Sequence, residues 1–374
     1  MPKYKFDQIA FNSTEKKKPT EDDKYTYIGL EHLDSGCLEV TRYGSDVAPI
    51  GEKLVMRKGD VLFGKRRAYQ KKVAIAPFDG IFSAHGLVLR PKEDVVDRDF
   101  FPFFISSDYF LDAAIKISVG SLSPTINWRE LKELEFELPD LAVQRDLAKI
   151  FMAMNEAKKA YKELIAQTEQ LVQSQFIEMF GDYPRTRLGD FIEQVRGVSY
   201  KPNDLLLSLE DTHITLLRAN NISNNEINFD EVQYVSRAKV SPQQIIREDD
   251  ILMCASSGSL EHVGKAAICS PTSIDYTFGA FCKVVRTKKD LLPKFLATYF
   301  VTDEYRDKIM SLACGTNINN LKNEYIDNLL IPIPEMSIQE SFVRMIEQFD
   351  KSKFVLQETL KYDKISYFSM IKSA

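Results

Sequence analysis

The sequence predicts an α+β fold: two copies of a mixed α/β globule joined by two long helices that pair antiparallel as a coiled coil, with pseudo-twofold symmetry. Three observations predict it. The chain matches itself at an offset near 190 residues. Short apolar runs broken by Gly, Pro, Asp and Ser recur in both halves. Each half then closes on a Leu-Pro or Ile-Pro step that leads into a long amphipathic stretch.

Composition sets the outer bounds. With 374 residues, 44% apolar and 28% charged, the chain is long enough for two or three domains with real cores, which excludes wholesale disorder. The 49 Lys and Arg against 54 Asp and Glu leave a net charge of −5, so no global basic field holds nucleic acid and any such contact must come from a local patch. Cys37, Cys254, Cys269, Cys282 and Cys314 are odd in number and never spaced C-x-x-C, which fits buried thiols in a reducing compartment. The opening Met-Pro-Lys-Tyr-Lys-Phe has no apolar targeting core, and no stretch approaches the ~18 apolar residues of a membrane span. The expectation is a soluble, cytoplasmic protein with no membrane partner.

The self-match is detailed. Met56-Arg-Lys-Gly-Asp60-Val-Leu62 aligns with Ile246-Arg-Glu-Asp-Asp250-Ile-Leu252 at an offset of 190. Tyr27 to Leu33 matches Leu216 to Ile222 at 189, and Phe6-Asp-Gln-Ile9 matches Leu188-Gly-Asp-Phe191 at 182. Downstream, Phe82 to Arg90 matches Phe278 to Arg286 at 196, and Gly120, Ile126, Leu131, Leu134, Pro139 and Gln144 match Gly315, Leu321, Ile326, Leu329, Pro334 and Gln339 at 195. The slow drift marks loop insertions between fixed elements.

Inside each half the runs read as strands: Asp60 to Phe63, Val73 to Ala76 and Gly86 to Leu89, then Ile251 to Met253, Ala266 to Cys269 and Cys282 to Arg286. Three- and four-residue apolar spacing predicts a helix from Phe100 to Lys116 and another from Pro293 to Ala313. The domains are therefore 1–138, a central helix over 139–182, 183–334, and a C-terminal helix over 335–374.

In the central helix Val143, Leu147, Ile150, Met154, Ala157, Tyr161, Leu164, Thr168, Leu171 and Gln175 alternate steps of four and three, the seam of a coiled coil. Phe151, Ile165, Val172, Phe176, Met179 and Phe180 widen the stripe, so the helix packs on more than one neighbour. Gly181, Asp182 and Pro184 end it. The C-terminal helix opens on Ser337 and Glu340 in capping-box spacing and offers Phe342, Ile346, Phe349, Leu356 and Leu360 for pairing. Antiparallel pairing makes a strut with a globule at each end; parallel pairing sets the globules side by side. A strut suits a linear target with two separated features, such as DNA with major-groove faces every ~34 Å.

Local sequence points to DNA. Between two strands of the first globule lie Lys65, Arg66, Arg67, Lys71 and Lys72, without an acid and interleaved with Tyr69 and Gln70. Arg pairs with guanine, Gln with adenine and Lys with phosphate. The corresponding loop of the second globule carries Ser256, Ser257, Ser259, His262 and Lys265, a different chemistry on the same framework. Asn12 to Pro19 and Gly197 to Pro202 are further recurring loops, and Glu31-His32 stands opposite Asn220-Asn221, an adenine contact or a turn.

Catalytic patterns fail on their context. Pro139-Asp140 with Glu156-Ala-Lys158 has loose nuclease spacing, but the last two lie inside the helix on different faces. Ser259 to Ala266 misses the first Gly and the final Ser/Thr of a phosphate loop. His32, His85, His213 and His262 have no metal-ligand spacing, and neither an Asn-Pro-Pro-Tyr methyltransferase motif nor a Gly-rich dinucleotide turn is present.

The duplicated globule, the Asp-(Val/Ile)-Leu strands at Asp60 and Asp250, the Pro139 to Gln144 and Pro334 to Gln339 helix starts, and Gln175 to Asp182 together resemble the specificity (S) subunit of type I restriction–modification systems, over nearly the whole chain. That resemblance implies two target recognition domains, each reading half of a bipartite site in double-stranded DNA, and helices that space them and dock two methyltransferase subunits. It implies a chain without catalysis or cofactor of its own: S-adenosylmethionine, ATP and Mg belong to the methyltransferase and restriction (R) subunits. The chain departs from the pattern in lacking a Gly within Phe6 to Ile9, and its C-terminal helix stops soon after Ile371. The competing readings are a coiled-coil assembly scaffold without DNA recognition and, third, a nuclease.

Overall fold

Why the strand runs are apolar throughout is explained by what covers them. The computed structural model describes residues 1–206, 208, 210–269, 275–313 and 319–362; Cys314, Gly315 and Ile371 lie outside these, as does the side chain of Leu360. Among the described residues the chain forms two units, 1–162 with 357–362, and 163–356.

In the first unit Lys3–Lys5 pairs antiparallel with Glu135–Glu137. The main sheet is antiparallel in the order Ala10–Ser13, Gly86–Pro91, Val61–Gly64, Val73–Ile75, with Val61 opposite Leu89 and Leu62 opposite Val88. Successive side chains leave opposite faces. Val61, Phe63, Leu87 and Leu89 join Phe104 and Phe110 of the helices Phe101–Ser106 and Asp108–Lys116. Leu62, Ala74 and Val88 join Ile28, Met56 and Phe82 of a second sheet, ordered Lys16–Lys17, Lys53–Met56, Gly80–Phe82, Tyr27–Ile28 with the last pair parallel. With both faces covered, polar alternation has no place.

The second unit repeats the plan. Arg185–Arg187 pairs with Leu330–Pro332, and the main sheet runs Ile192–Arg196, Cys282–Thr287, Ile251–Cys254, Ala266–Ile268. Ile251, Met253 and Val285 face Leu296, Tyr299 and Tyr305, while Leu252, Ala267 and Val284 face Leu217 and Phe278. The second sheet differs: in the order Leu205–Leu206, Gln233–Ser236, His213–Leu217, Tyr276–Phe278, the parallel strand His213–Leu217 lies inside, whereas its counterpart Tyr27–Ile28 is an edge.

Each predicted globule helix is two helices. Ser107 breaks the first, its hydroxyl donating to Phe104 O at 2.6 Å and accepting from Phe110 N at 3.3 Å. Thr302 breaks the second between Pro293–Tyr299 and Asp303–Ala313, donating to Tyr299 O at 2.8 Å and accepting from Tyr305 N at 3.3 Å. These hydroxyls end one helix and cap the next.

The central helix spans Leu141–Phe180, about 60 Å at 1.5 Å per residue. The C-terminal helix spans Met336–Tyr362, so Ser337 sits inside its first turn and the expected capping box does not form. The pairing seam also needs correction: Ile150, Leu164 and Leu171 are 47%, 47% and 45% exposed. The buried stripe takes in only part of the seam, Val143, Leu147 and Met154, together with the widening positions Phe151, Phe176 and Phe180. Leu147, Ala148 and Phe151 enter the first unit's core, flanked by Val143 and Met154, and Phe176 and Phe180 enter the second's. There Phe342 packs on Phe176 and Phe180 with ring centroids 5.6 and 5.2 Å apart, Ile346 is buried beside it, and further along Lys353 meets Glu169 at 2.7 Å. Tyr161, Phe349 and Leu356 are half-buried. No helix among the described residues is long and apolar enough to cross a membrane.

Candidate nucleic-acid interface

In the first unit the chain leaves the strand Val61–Gly64, makes a single 3₁₀ turn at Ala68–Gln70, and re-enters at Val73. Arg67 and Lys71, flanking that turn, adopt left-handed backbone with φ of 54° and 48°. Such strain persists only where neighbours hold the loop. They do so here: Ile126 N donates to Lys65 O at 3.0 Å, Arg67 N to Pro124 O at 2.8 Å, Arg66 N to His85 O at 3.3 Å, and Arg66 Nε to Ser123 Oγ at 3.0 Å.

The five cations of this loop divide into two sets. Lys71 is turned into the protein, bonded to Asp108 at 2.6 Å and Asp112 at 2.8 Å, and Lys72 donates to Leu30 O at 2.6 Å. Both hold the loop to its own unit. Arg66, Arg67 and Tyr69 are exposed, and Lys65 and Gln70 half-buried. Burial, with Lys16 alongside, pushes the Lys65 ammonium down, and burial followed by Arg66, Lys65 and Lys53 pushes the His85 imidazole below its ordinary value. Burial is the larger cause in both; the lesser one, neighbouring positive charge, comes from the loop's own Lys65 and Arg66 and from the strands bearing Lys16 and Lys53.

The second unit builds the same frame from other side chains. Ser256 N donates to Phe281 O at 3.0 Å where Arg66 N donates to His85 O, and Ser256 and Ser257 pair with Asn320 and Asn319 where Arg66 pairs with Thr125. The loop is fastened by Arg306, which donates to Val263 O at 2.8 Å and Glu261 O at 2.9 Å, and by the Tyr305 hydroxyl donating to Gly264 O at 2.9 Å. Gly264, at φ +77°, would bring a Cβ within 2.6 Å of Ile309, so no larger residue fits there. Ser259 and His262 are exposed and Lys265 half-buried.

Ser256, Asn220 and Phe281 line a cleft of about 240 Å³ with Tyr200 and Arg218. Phe281 is 64% exposed there, an aromatic surface of the kind on which bases stack. Asn221 is a correction. It is 1% exposed, accepts from Arg218 N at 2.8 Å and donates to Asn228 O at 2.8 Å. Its amide is spent on the turn, as in the first unit His32 Nδ1 accepts from Gly29 N at 3.0 Å; Asn220 alone faces outward. Tyr200 belongs to the recurring loop Gly197 to Pro202, whereas motif reading gives no sign of His85, Phe281 and Arg218 as site residues. The signal was there: His85 and Phe281 fall at one position of the 196-residue offset.

The nuclease pattern is taken apart by the same geometry. Asp140 Oδ1 accepts from the N–H groups of Ala142 and Val143, both at 3.0 Å, and so caps the central helix. Glu156 lies sixteen residues further along that helix, about 24 Å away at 1.5 Å per residue, so the two carboxylates share no metal. No group of three or more His, Cys, Asp or Glu that could hold a metal ion occurs among the described residues.

A family model described as the type I restriction modification DNA specificity domain matches residues 8–170 and again residues 182–365. The StySPI type I restriction enzyme specificity subunit of Salmonella potsdam is 36% identical over 168 residues, 44% of this chain and 36% of that protein. The EcoKI specificity subunit of Escherichia coli K12 is 37% identical over 163 residues, 42% of this chain and 35% of that protein. The matched stretch is thus little more than a third of the length of these relatives. A chain from a structure titled for complex assembly and conformational transition of the type I R-M system shares the fold, with a TM-score of 0.58 at 18% identity over 99% of this chain and 96% of that one. Since the two matches take in nearly all of a chain whose halves repeat one hydrogen-bonded frame, the protein belongs to the type I restriction modification DNA specificity domain family.

Proposed function

We propose that this chain is the DNA specificity subunit of a type I restriction–modification enzyme, each unit reading one half of a bipartite site in double-stranded DNA. The observation that carries the reading is the pair of loops 64–72 and 255–265: the backbone bonds that hold them recur, while one loop carries five cations and no acid and the other, with Glu261 and Lys265, has no net charge. One frame with two faces reads two sequences. A plain scaffold has no use for the cationic face, and family membership disfavours it.

In this reading the two long helices pair as an antiparallel coiled coil, space the units about a pseudo-twofold axis and dock two methyltransferase subunits. Within the second unit the helix contacts support opposite directions, since they pass from Phe342 with Phe176 to Lys353 with Glu169. The chain works in the cytoplasm and contributes no catalysis. S-adenosylmethionine, ATP and Mg act on the methyltransferase and restriction subunits.

The test is the methylome of a host that expresses this chain with its methyltransferase partner. The expected result is an interrupted adenine-methylated motif that disappears when the chain is deleted. A continuous motif, or one unchanged by the deletion, refutes the proposal.

A further inference from the structure

Leu122 is the most exposed leucine among the large apolar residues of the first unit, 94% accessible, and it sits where an exposed leucine is least expected. The hairpin that presents it is closed by two reciprocal bonds, Val119 N to Thr125 O at 3.0 Å and Thr125 N to Val119 O at 2.9 Å. Gly120, at φ +115°, makes the bend. The hairpin is then fastened to the cationic loop by Arg66 Nε on Ser123 Oγ, by Arg67 N on Pro124 O and by the bridge between Arg66 and Thr125. Val119, 65% exposed, stands at its base.

An apolar tip fastened beside two consecutive arginines is poorly suited to water and well suited to nucleic acid. The cations meet phosphates, and the apolar group meets the base edges or slips between base steps. At the sequence-equivalent position of the other half stands Asn317, a side chain of different chemistry, as expected of a position that reads bases rather than supports the frame.

We propose that the 119–125 hairpin is a DNA-contacting finger of the first unit, in which Leu122 makes an apolar contact with bases while Arg66 and Arg67 hold the adjoining backbone. The inference rests on the DNA-reading function proposed above and names how one half-site is gripped.

The test uses the full chain assembled with its methyltransferase partner and a fluorescein-labelled duplex carrying the motif found in the methylome. Leu122→Ser lowers affinity for that duplex tenfold or more, leaves the slope of affinity against salt unchanged because no cation is removed, and leaves the melting temperature unchanged because the side chain is exposed. Leu122→Met restores affinity. Wild-type affinity in Leu122→Ser, or weakened association with the methyltransferase partner in place of weakened DNA binding, overturns the inference and assigns Leu122 elsewhere. A wild-type complex that does not prefer the motif duplex overturns the functional reading itself, and this inference with it.

Discussion

Gln144 and Gln339, 195 residues apart and both fully buried, make the same three hydrogen bonds. Gln144 Nε2 donates to Pro139 O at 2.8 Å and Val95 O at 3.1 Å, and its Oε1 accepts from Asp97 N at 2.8 Å. Gln339 Nε2 donates to Pro334 O at 2.8 Å and Asp290 O at 2.9 Å, and its Oε1 accepts from Leu292 N at 2.9 Å. Each amide stitches the first turn of a long helix to the loop that follows the main sheet. Only a group with both donors and an acceptor can do this. Gln339→Leu strands two carbonyls and one N–H in the interior and is expected to cost about 3 kcal/mol, read as a lower denaturation midpoint in urea. A loss below about 0.5 kcal/mol would show that the bonds are dispensable.

Asp250 and Arg286 form the other repeated brace, bidentate at 2.8 and 3.0 Å with side chains 3% and 8% exposed. Asp60 and Arg90 repeat it at 2.7 and 2.8 Å, but Arg90 is 20% exposed. Removing one partner leaves the other charge buried. Asp250→Ala is expected to destabilise its unit by about 3–5 kcal/mol. Asp60→Ala is expected to cost less, because Arg90 can turn toward water. Equal losses in calorimetry would contradict the difference in burial.

These braces show what was legible in the sequence. Asp60 and Asp250 stood out as markers of the repeat, and the apolar runs beside them betrayed strands because both sheet faces are covered. The helix starts were legible from Pro139 and Pro334. Less legible was anything settled by partners distant in sequence. Lys71 reads as one of five cations until Asp108 and Asp112 are placed beside it. Of the heptad seam, Val143, Leu147 and Met154 reach the core while Ile150, Leu164 and Leu171 stay exposed, because the helix buries its widened stripe in two globular cores, at steps such as Leu147 to Phe151 and Phe176 to Phe180. The outward face of Phe281 had no motif to announce it.

Division of the loop cations predicts unequal effects on DNA binding. Neutralising Lys65, Arg66 and Arg67 together is expected to weaken binding at all sequences and to reduce the slope of log affinity against log salt by about 2–3, near one unit for each phosphate left without its cation. Lys71→Ala and Lys72→Ala act instead through the loop's hold on Asp108, Asp112 and Leu30, so they are expected to lower thermal stability with little change in slope. On the DNA-reading function proposed above, Ser256→Ala, in a loop of no net charge, leaves the slope alone and relaxes base preference. A salt slope that falls equally for Lys71→Ala would place that lysine on phosphate.

Lys283 gives the second unit a pH signature. It is 4% exposed, and its ammonium donates to Gln194 Oε1 at 3.0 Å, Leu321 O at 2.9 Å and Asn323 Oδ1 at 2.7 Å. Leu87 holds the corresponding place in the first unit. Burial pushes the lysine down from 10.5 to about 8. Between those values the unfolded chain carries more protons than the native one, so stability rises with pH. Below about 8 the cost of the buried charge is fully present. Cys254, Cys269 and Cys282, and at higher pH Tyr299 and Tyr305, all pushed up by burial, bring an opposite trend as their unfolded groups ionise near 9.0 and 10.0, a trend shared by wild type and variant and cancelled in their difference. The measurement is the difference between wild type and Lys283→Met over about pH 8 to 9.5. There the wild type is expected to gain stability relative to Lys283→Met with each pH step, read as a widening difference in melting temperature. A difference that stays flat across the window means the lysine keeps its ordinary proton affinity, with its three oxygen acceptors offsetting the burial.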